Sequence, residues 1–70
     1  MRNSVREYRE RADMSQAELA AAVDVSRQTI NAIERDRYDP SLELAFELTG
    51  HFDCRIEDLF DPYPDDGNGE

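Results

Sequence analysis

The 70-residue chain contains no lysine: its eight basic residues are all arginine, set against seventeen Asp and Glu, for a formal net charge of −9. It also has only one cysteine and one histidine. A single cysteine excludes an internal disulfide. Cys54 lies between Phe52 and Ile56 in an apolar stretch and reads as a core thiol, since a free cysteine behaves as a small hydrophobe. His51 has no second His or Cys at metal-ligand spacing and reads as a helix-surface side chain. No apolar run approaches the ~20 residues that span a bilayer, and the N-terminus carries no signal-like apolar core. A soluble, cytoplasmic protein without a membrane partner is expected. There is no nucleophile–base pair, metal set or phosphate-cradling glycine loop, so neither an enzyme nor a cofactor is expected.

A chain of this length makes one domain at most and buries only about 60% of its unfolded surface. The charge it carries is unevenly placed. Residues 1–38 hold seven Arg and seven acids; residues 39–70 hold one Arg and ten acids. The first half can face phosphate without net repulsion and the second cannot.

The apolar pattern is helical throughout. Val5, Tyr8, Arg9 and Ala12 share one face of a helix over 4–12, with an arginine on an otherwise apolar stripe. Ser15 and Glu18 form a capping-box pattern, flanked by Met14 and Leu19 as a hydrophobic staple, and start a helix that continues through Ala20–Ala22 to Val23. After Asp24-Val25, Ser26 caps a third helix to about Arg35, with Ile30 and Ile33 inward and Val25 and Ile30 as a second staple. Asp39-Pro40-Ser41 leads into a fourth helix, about 41–51, with Leu44, Ala45, Leu48 and Phe52 inward and Gly50 weakening its last turn. A short fifth helix is expected over 56–60, stopped by Asp61-Pro62. The domain is expected to span 1–62, with an acidic tail, 63–70, disordered past Tyr63. Two helices joined by about three residues form a helix-turn-helix layout.

The run Ser15-Gln16-x-Glu18-Leu19-Ala20, then Val25-Ser26-Arg27-Gln28-Thr29-Ile30, Ile33-Glu34-Arg35 and Asp39-Pro40-Ser41-Leu42 resembles the phage-repressor (Cro/CI-like, XRE-like) helix-turn-helix family over about residues 4–60. Each piece alone is weak; the four in this order and spacing are specific. The resemblance implies an all-α, five-helix, lambda-repressor-like DNA-binding domain whose third helix, about 26–35, enters the major groove. It implies base contacts from Arg27, Gln28, Asn31 and Ala32: Arg pairs bidentately with guanine, Gln or Asn with adenine, and Ala meets a thymine methyl. Gln16, Ser26, Thr29, Arg35, Arg37 and Tyr38 become candidate phosphate contacts, which set register rather than sequence preference. Arg9 and Glu34 occupy positions of a partly buried ion pair, which accounts for the arginine on the apolar face. The family often has glycine where this chain has Asp24, Asp36 and Asp53, and a Ser-like N-cap where it has Arg55. Asp tolerates left-handed backbone better than most residues.

The function this implies is that of a sequence-specific transcription regulator, most simply a repressor, acting as a homodimer on a palindromic operator. Its dimer patch is expected at Phe60 and Tyr63, with Phe52, Ile56 and Leu59 in the core. No small-molecule effector site is identifiable. The alternative is an antitoxin-like or coactivator-like interaction module on the same fold. Acid excess, arginine without lysine, and Asp at the turns suggest a salt-adapted, halophile-type member, whose phosphate attraction is screened at molar salt by a Debye length of about 3 Å.

Overall fold

The computed structural model describes residues 2–61. Five helices follow one another: α1 (Val5–Arg11), α2 (Gln16–Ala22), α3 (Arg27–Glu34), α4 (Leu42–Phe52) and α5 (Ile56–Leu59). Serine begins the middle three. Ser15, Ser26 and Ser41 hold extended backbone and accept from the amides of Glu18, Thr29 and Leu44, each satisfying an amide that the helix itself leaves free. At Ser15 the capping box is complete, because the Glu18 carboxylate accepts from the Ser15 amide at 2.8 Å. Arg55, which has no capping oxygen on its side chain, is compensated from within α5: the Asp58 carboxylate accepts from the Arg55 amide at 3.0 Å.

Aspartate ends four of the helices. Asp13, Asp24, Asp36 and Asp53 all have φ between 55° and 61°. At each, the next residue's amide reaches back to a carbonyl in the last helical turn: Met14 to Arg9, Val25 to Ala20, Arg37 to Ala32, Cys54 to Thr49. This is the Schellman closure, for which a left-handed residue is required. Three of the four positions were expected from the sequence; Asp13 was not.

The core is built from the fully buried side chains of Val5, Leu19, Ile30, Ile33, Leu48 and Leu59, with Ala20, Val23, Leu44, Ala45 and Phe60 around them. Burying each large aliphatic group contributes roughly 1.5–3 kcal/mol. Tyr8, Met14, Val25, Phe52, Cys54 and Ile56 pack against this cluster while partly exposed. Burial and the carboxylates of Asp58 and Asp53 push the Cys54 thiol above its ordinary pKa. Ala12, expected on the inner face of α1, lies just past its end and is exposed.

Two further features depart from the helical reading. Arg2–Asn3 (β1) pairs antiparallel with Phe60–Asp61 (β2), Arg2 opposite Asp61 and Asn3 opposite Phe60, and the Ser4 amide donates to the Leu59 carbonyl at 2.8 Å. The last helix therefore stops at Leu59. Phe60, expected at a dimer patch, is turned into the monomer core by this pairing and is only 5% exposed. The strand ladder fixes its orientation, so it offers no surface to a second chain. Tyr63, the other residue of that patch, and the acidic tail lie outside the described residues.

Candidate nucleic-acid interface

Two capped helices that must share one apolar seam leave few ways to pack. α2 and α3 make the most extensive inter-helix contact in the molecule, with Leu19, Ala20 and Val23 from one and Ile30 and Ile33 from the other in the same core. The connection between them contains Asp24 in left-handed geometry and Ser26 as the next cap. This is a helix-turn-helix.

The rear of α3 is anchored by charge. The Arg9 Nε donates to Glu34 Oε2 at 2.7 Å and its second terminal nitrogen to Oε1 at 3.2 Å. A third donation, to the Met14 carbonyl at 2.8 Å, ties the same guanidinium to the connection before α2. The Gln16 amide nitrogen also donates to Glu34 Oε1, at 3.0 Å. With side chains only 12% and 4% exposed, Arg9 and Glu34 form a nearly buried ion pair. The hydrogen bond to Glu34 holds the Arg9 guanidinium above its ordinary pKa. Asn3 completes the anchor: its amide nitrogen donates to the Ile33 carbonyl at 2.7 Å and to Asp36 at 3.0 Å, while its oxygen accepts from the Val5 amide. Nothing in the helical pattern pointed to Asn3; it precedes the first helix and carries no period.

The front of α3 is different. Arg27 and Gln28 are exposed on its first turn; Asn31 and Ala32 are half-buried on the next. Arg35, Arg37 and Tyr38 are exposed at and after its end. Among the described residues, the side chains of Arg27, Gln28, Asn31, Arg35, Arg37 and Tyr38 have no hydrogen-bond or ion-pair partner. Ser26 and Thr29 are partly committed: the two hydroxyls lie 3.0 Å apart and the Ser26 oxygen caps the helix. Gln16 is committed through one of the two hydrogens on its amide nitrogen, which leaves the other for an acceptor. The structure thus gathers donors along α3 and the loop after it, held from behind by Arg9, Glu34 and Asn3. Among the described residues no cluster of His, Cys, Asp or Glu is arranged to hold a metal ion, and no helix is long and apolar enough to cross a membrane.

A five-helix all-α domain with a capped, exposed second helix of a helix-turn-helix defines the architecture of the phage-repressor (Cro/CI-like, XRE-like) class. Residues 5–59 match the helix-turn-helix family model, and the chain belongs to that family, which is not an enzymatic one. It is 48% identical over 66 residues to an uncharacterized HTH-type transcriptional regulator of Methanocaldococcus jannaschii, covering 94% of this chain and 98% of that one. It is 48% identical over 60 residues to one of Archaeoglobus fulgidus, covering 86% of each chain. It is also 45% identical over 60 residues to the regulator YgzD of Bacillus subtilis, covering 86% of this chain and 91% of that one.

Proposed function

We propose that this protein is a DNA-binding transcription regulator, a cytoplasmic repressor that lays α3 in the major groove as a homodimer on a palindromic operator. One observation carries the reading. In a chain with seventeen acids and eight arginines, the donors of Arg27, Gln28, Asn31, Arg35 and Arg37 stand without a partner among the described residues. Arg11 and Arg55 also stand outside any ion pair among the described residues, but they are scattered, whereas these five donors are gathered on one helix and the loop after it, where one extended acceptor meets them together.

The roles divide by position. Arg27 and Gln28, exposed on the first turn of α3, read base edges; Asn31 and Ala32, one turn later, read the adjacent pairs. Arg35, Arg37 and Tyr38, with Ser26, Thr29 and the free hydrogen on the Gln16 amide, hold phosphates and fix register. The half from residue 39 on, with one Arg and ten acids, repels phosphate and takes no part in these contacts. In a salt-adapted cell the Coulomb attraction of the arginines is screened, so affinity rests on hydrogen bonds and shape.

The test is selection from a random duplex pool in molar potassium chloride. The expected result is a two-fold motif with half-sites about 34 Å apart, one turn of the duplex. A folded chain that enriches no sequence contradicts autonomous DNA recognition and favours a protein partner for this fold.

A further inference from the structure

Single exposed apolar side chains are ordinary on a protein surface, but α4 presents a contiguous apolar line, which is not. Leu42 is 68% exposed and Phe46 57% exposed. With Gly50 they lie four residues apart, one line along the helix, and all three line a single open groove with Ala22 at the end of α2. Gly50 is the unexpected member. It sits inside the helix, has no positive φ, and a Cβ built there meets nothing within 4 Å. Glycine costs about 0.5–1 kcal/mol relative to alanine in a helix interior, and nothing within the monomer calls for it. Its bareness has a use only toward something approaching from outside.

We infer that this stripe receives a second copy of the same chain, α4 packed antiparallel on α4 about a two-fold axis at Phe46. The inference rests on the DNA-binding reading and supplies its homodimer with a surface in place of Phe60. The stripe is self-complementary. A two-fold at Phe46 sets Leu42 of each copy over the bare Gly50 of its partner, a large group against a small one, with the two phenyl rings meeting on the axis. The flank beside it is also spaced by four: Glu43, Glu47 and His51 line the same groove. In an antiparallel pair like flanks meet, so Glu43 of each copy faces the partner's His51 at either end, and Glu47 faces the partner's Glu47 in the middle. At either end a ring N–H of His51 can donate to the Glu43 carboxylate without any charge on the imidazole, while the Glu47 carboxylates repel in the centre. The tail is a poorer occupant, since past Tyr63 it offers Pro, Gly, Asn and acids but no large apolar side chain to lie along Leu42 and Phe46.

Placement agrees with the proposed function. A neighbouring groove brings Glu43 and Glu47 of α4 together with Thr29 of α3 and Tyr38, so a two-fold on α4 lies beside the DNA-reading helix. Two large side chains per copy fall short of the ~1,200–2,000 Å² of a standard interface. The dimer is therefore weak in free solution and is drawn together by adjacent half-sites, as linked binding events are.

Sedimentation equilibrium of the full chain without DNA tests the surface. In molar potassium chloride the wild type is expected to show a concentration-dependent monomer–dimer equilibrium that weakens in dilute salt, where Glu47 repulsion is unscreened. Gly50→Gln, whose side chain enters open space in the monomer, keeps its helical circular dichroism and weakens dimerisation at least about tenfold, equal to 1.4 kcal/mol. Phe46→Ser acts in the same direction, and Glu47→Gln tightens the dimer in dilute salt. A wild type that stays monomeric at its highest soluble concentration overturns the inference. So does a dimer that Gly50→Gln and Phe46→Ser both leave intact. The random-duplex selection separates the two claims. A chain that enriches two-fold DNA without associating through α4 retains the function and loses this surface. One that associates through α4 but enriches nothing does the reverse.

Discussion

At the residue scale, the molecule depends on aspartates in left-handed geometry and on one nearly buried ion pair. Asp53 has φ 55° and carries its charge at a helix C-terminus, where the macrodipole disfavours an anion. Asp53→Gly should therefore stabilise the domain by about 1 kcal/mol, and Asp53→Ala, which gives up the local hydrogen bonding that eases Asp into this region, should destabilise it by a similar amount. Denaturant titration in molar salt measures both, and equal effects of the two would refute the backbone explanation. Glu34→Ala strands the Arg9 guanidinium and removes the acceptor of Gln16. A loss of roughly 3–5 kcal/mol is expected, enough to unfold much of a domain this small; a loss under about 1 kcal/mol would mean the pair is effectively solvated. Cys54, partly buried and with its pKa pushed up by that burial, should alkylate at least about tenfold more slowly in the native state than in denaturant, because only the thiolate reacts. Asp24, Asp36 and Asp53 were legible in the sequence because they stand where the family often has glycine. Asp13 was not, since a single left-handed residue leaves no periodic mark.

At the element scale, helix starts were legible and the chain ends were not. Serine followed three residues later by a carboxylate, or by an apolar run, is a local signal, and Ser15 and Ser26 each cap as their neighbours imply; Ser41, expected at the first position of its helix, is that helix's cap instead. A two-residue strand has no period to detect. The β1–β2 pairing was therefore invisible, and Phe60, read from the apolar pattern of the last helix, was placed on the surface when the ladder carries it inward. Arg27, Gln28, Arg35, Arg37 and Tyr38 were picked out by the family resemblance rather than by helical period, and all five are exposed, on the first turn of α3 or past its end. Of the support behind the site, the Arg9–Glu34 pair was implied by the family resemblance and is present; Asn3 was not foreseen, because it reaches Ile33 and Asp36 across the fold. Asn3→Ala removes three hydrogen bonds at once, and the Ile33 carbonyl keeps only the Asp36 amide as donor. It should cost about 1–3 kcal/mol and raise hydrogen exchange in the last turn of α3 more than in α2; uniform exchange across both helices would argue against this anchoring role.

For the whole molecule, charge decides the conditions under which it works. A net −9 on 70 residues repels itself in dilute buffer and is screened in molar salt. Helical circular dichroism should rise with potassium chloride toward the molar range, whereas full helicity in dilute buffer would remove the salt-adapted reading. DNA affinity should fall only shallowly with salt, because few counterions are released when the phosphates meet hydrogen bonds rather than a lysine-rich face; a steep fall between moderate and high potassium would contradict it. The central claim, that the front of α3 reads sequence while its rear and the following loop only hold the duplex, is tested most directly by one comparison. Arg27→Ala/Gln28→Ala and Arg37→Ala are each titrated against the selected operator and a scrambled duplex in molar salt. The double variant should lose the preference for operator over scrambled DNA, at about 1–3 kcal/mol for each bidentate contact removed, and Arg37→Ala should weaken binding to both duplexes alike. A double variant that keeps the wild-type preference would place sequence reading elsewhere on the molecule.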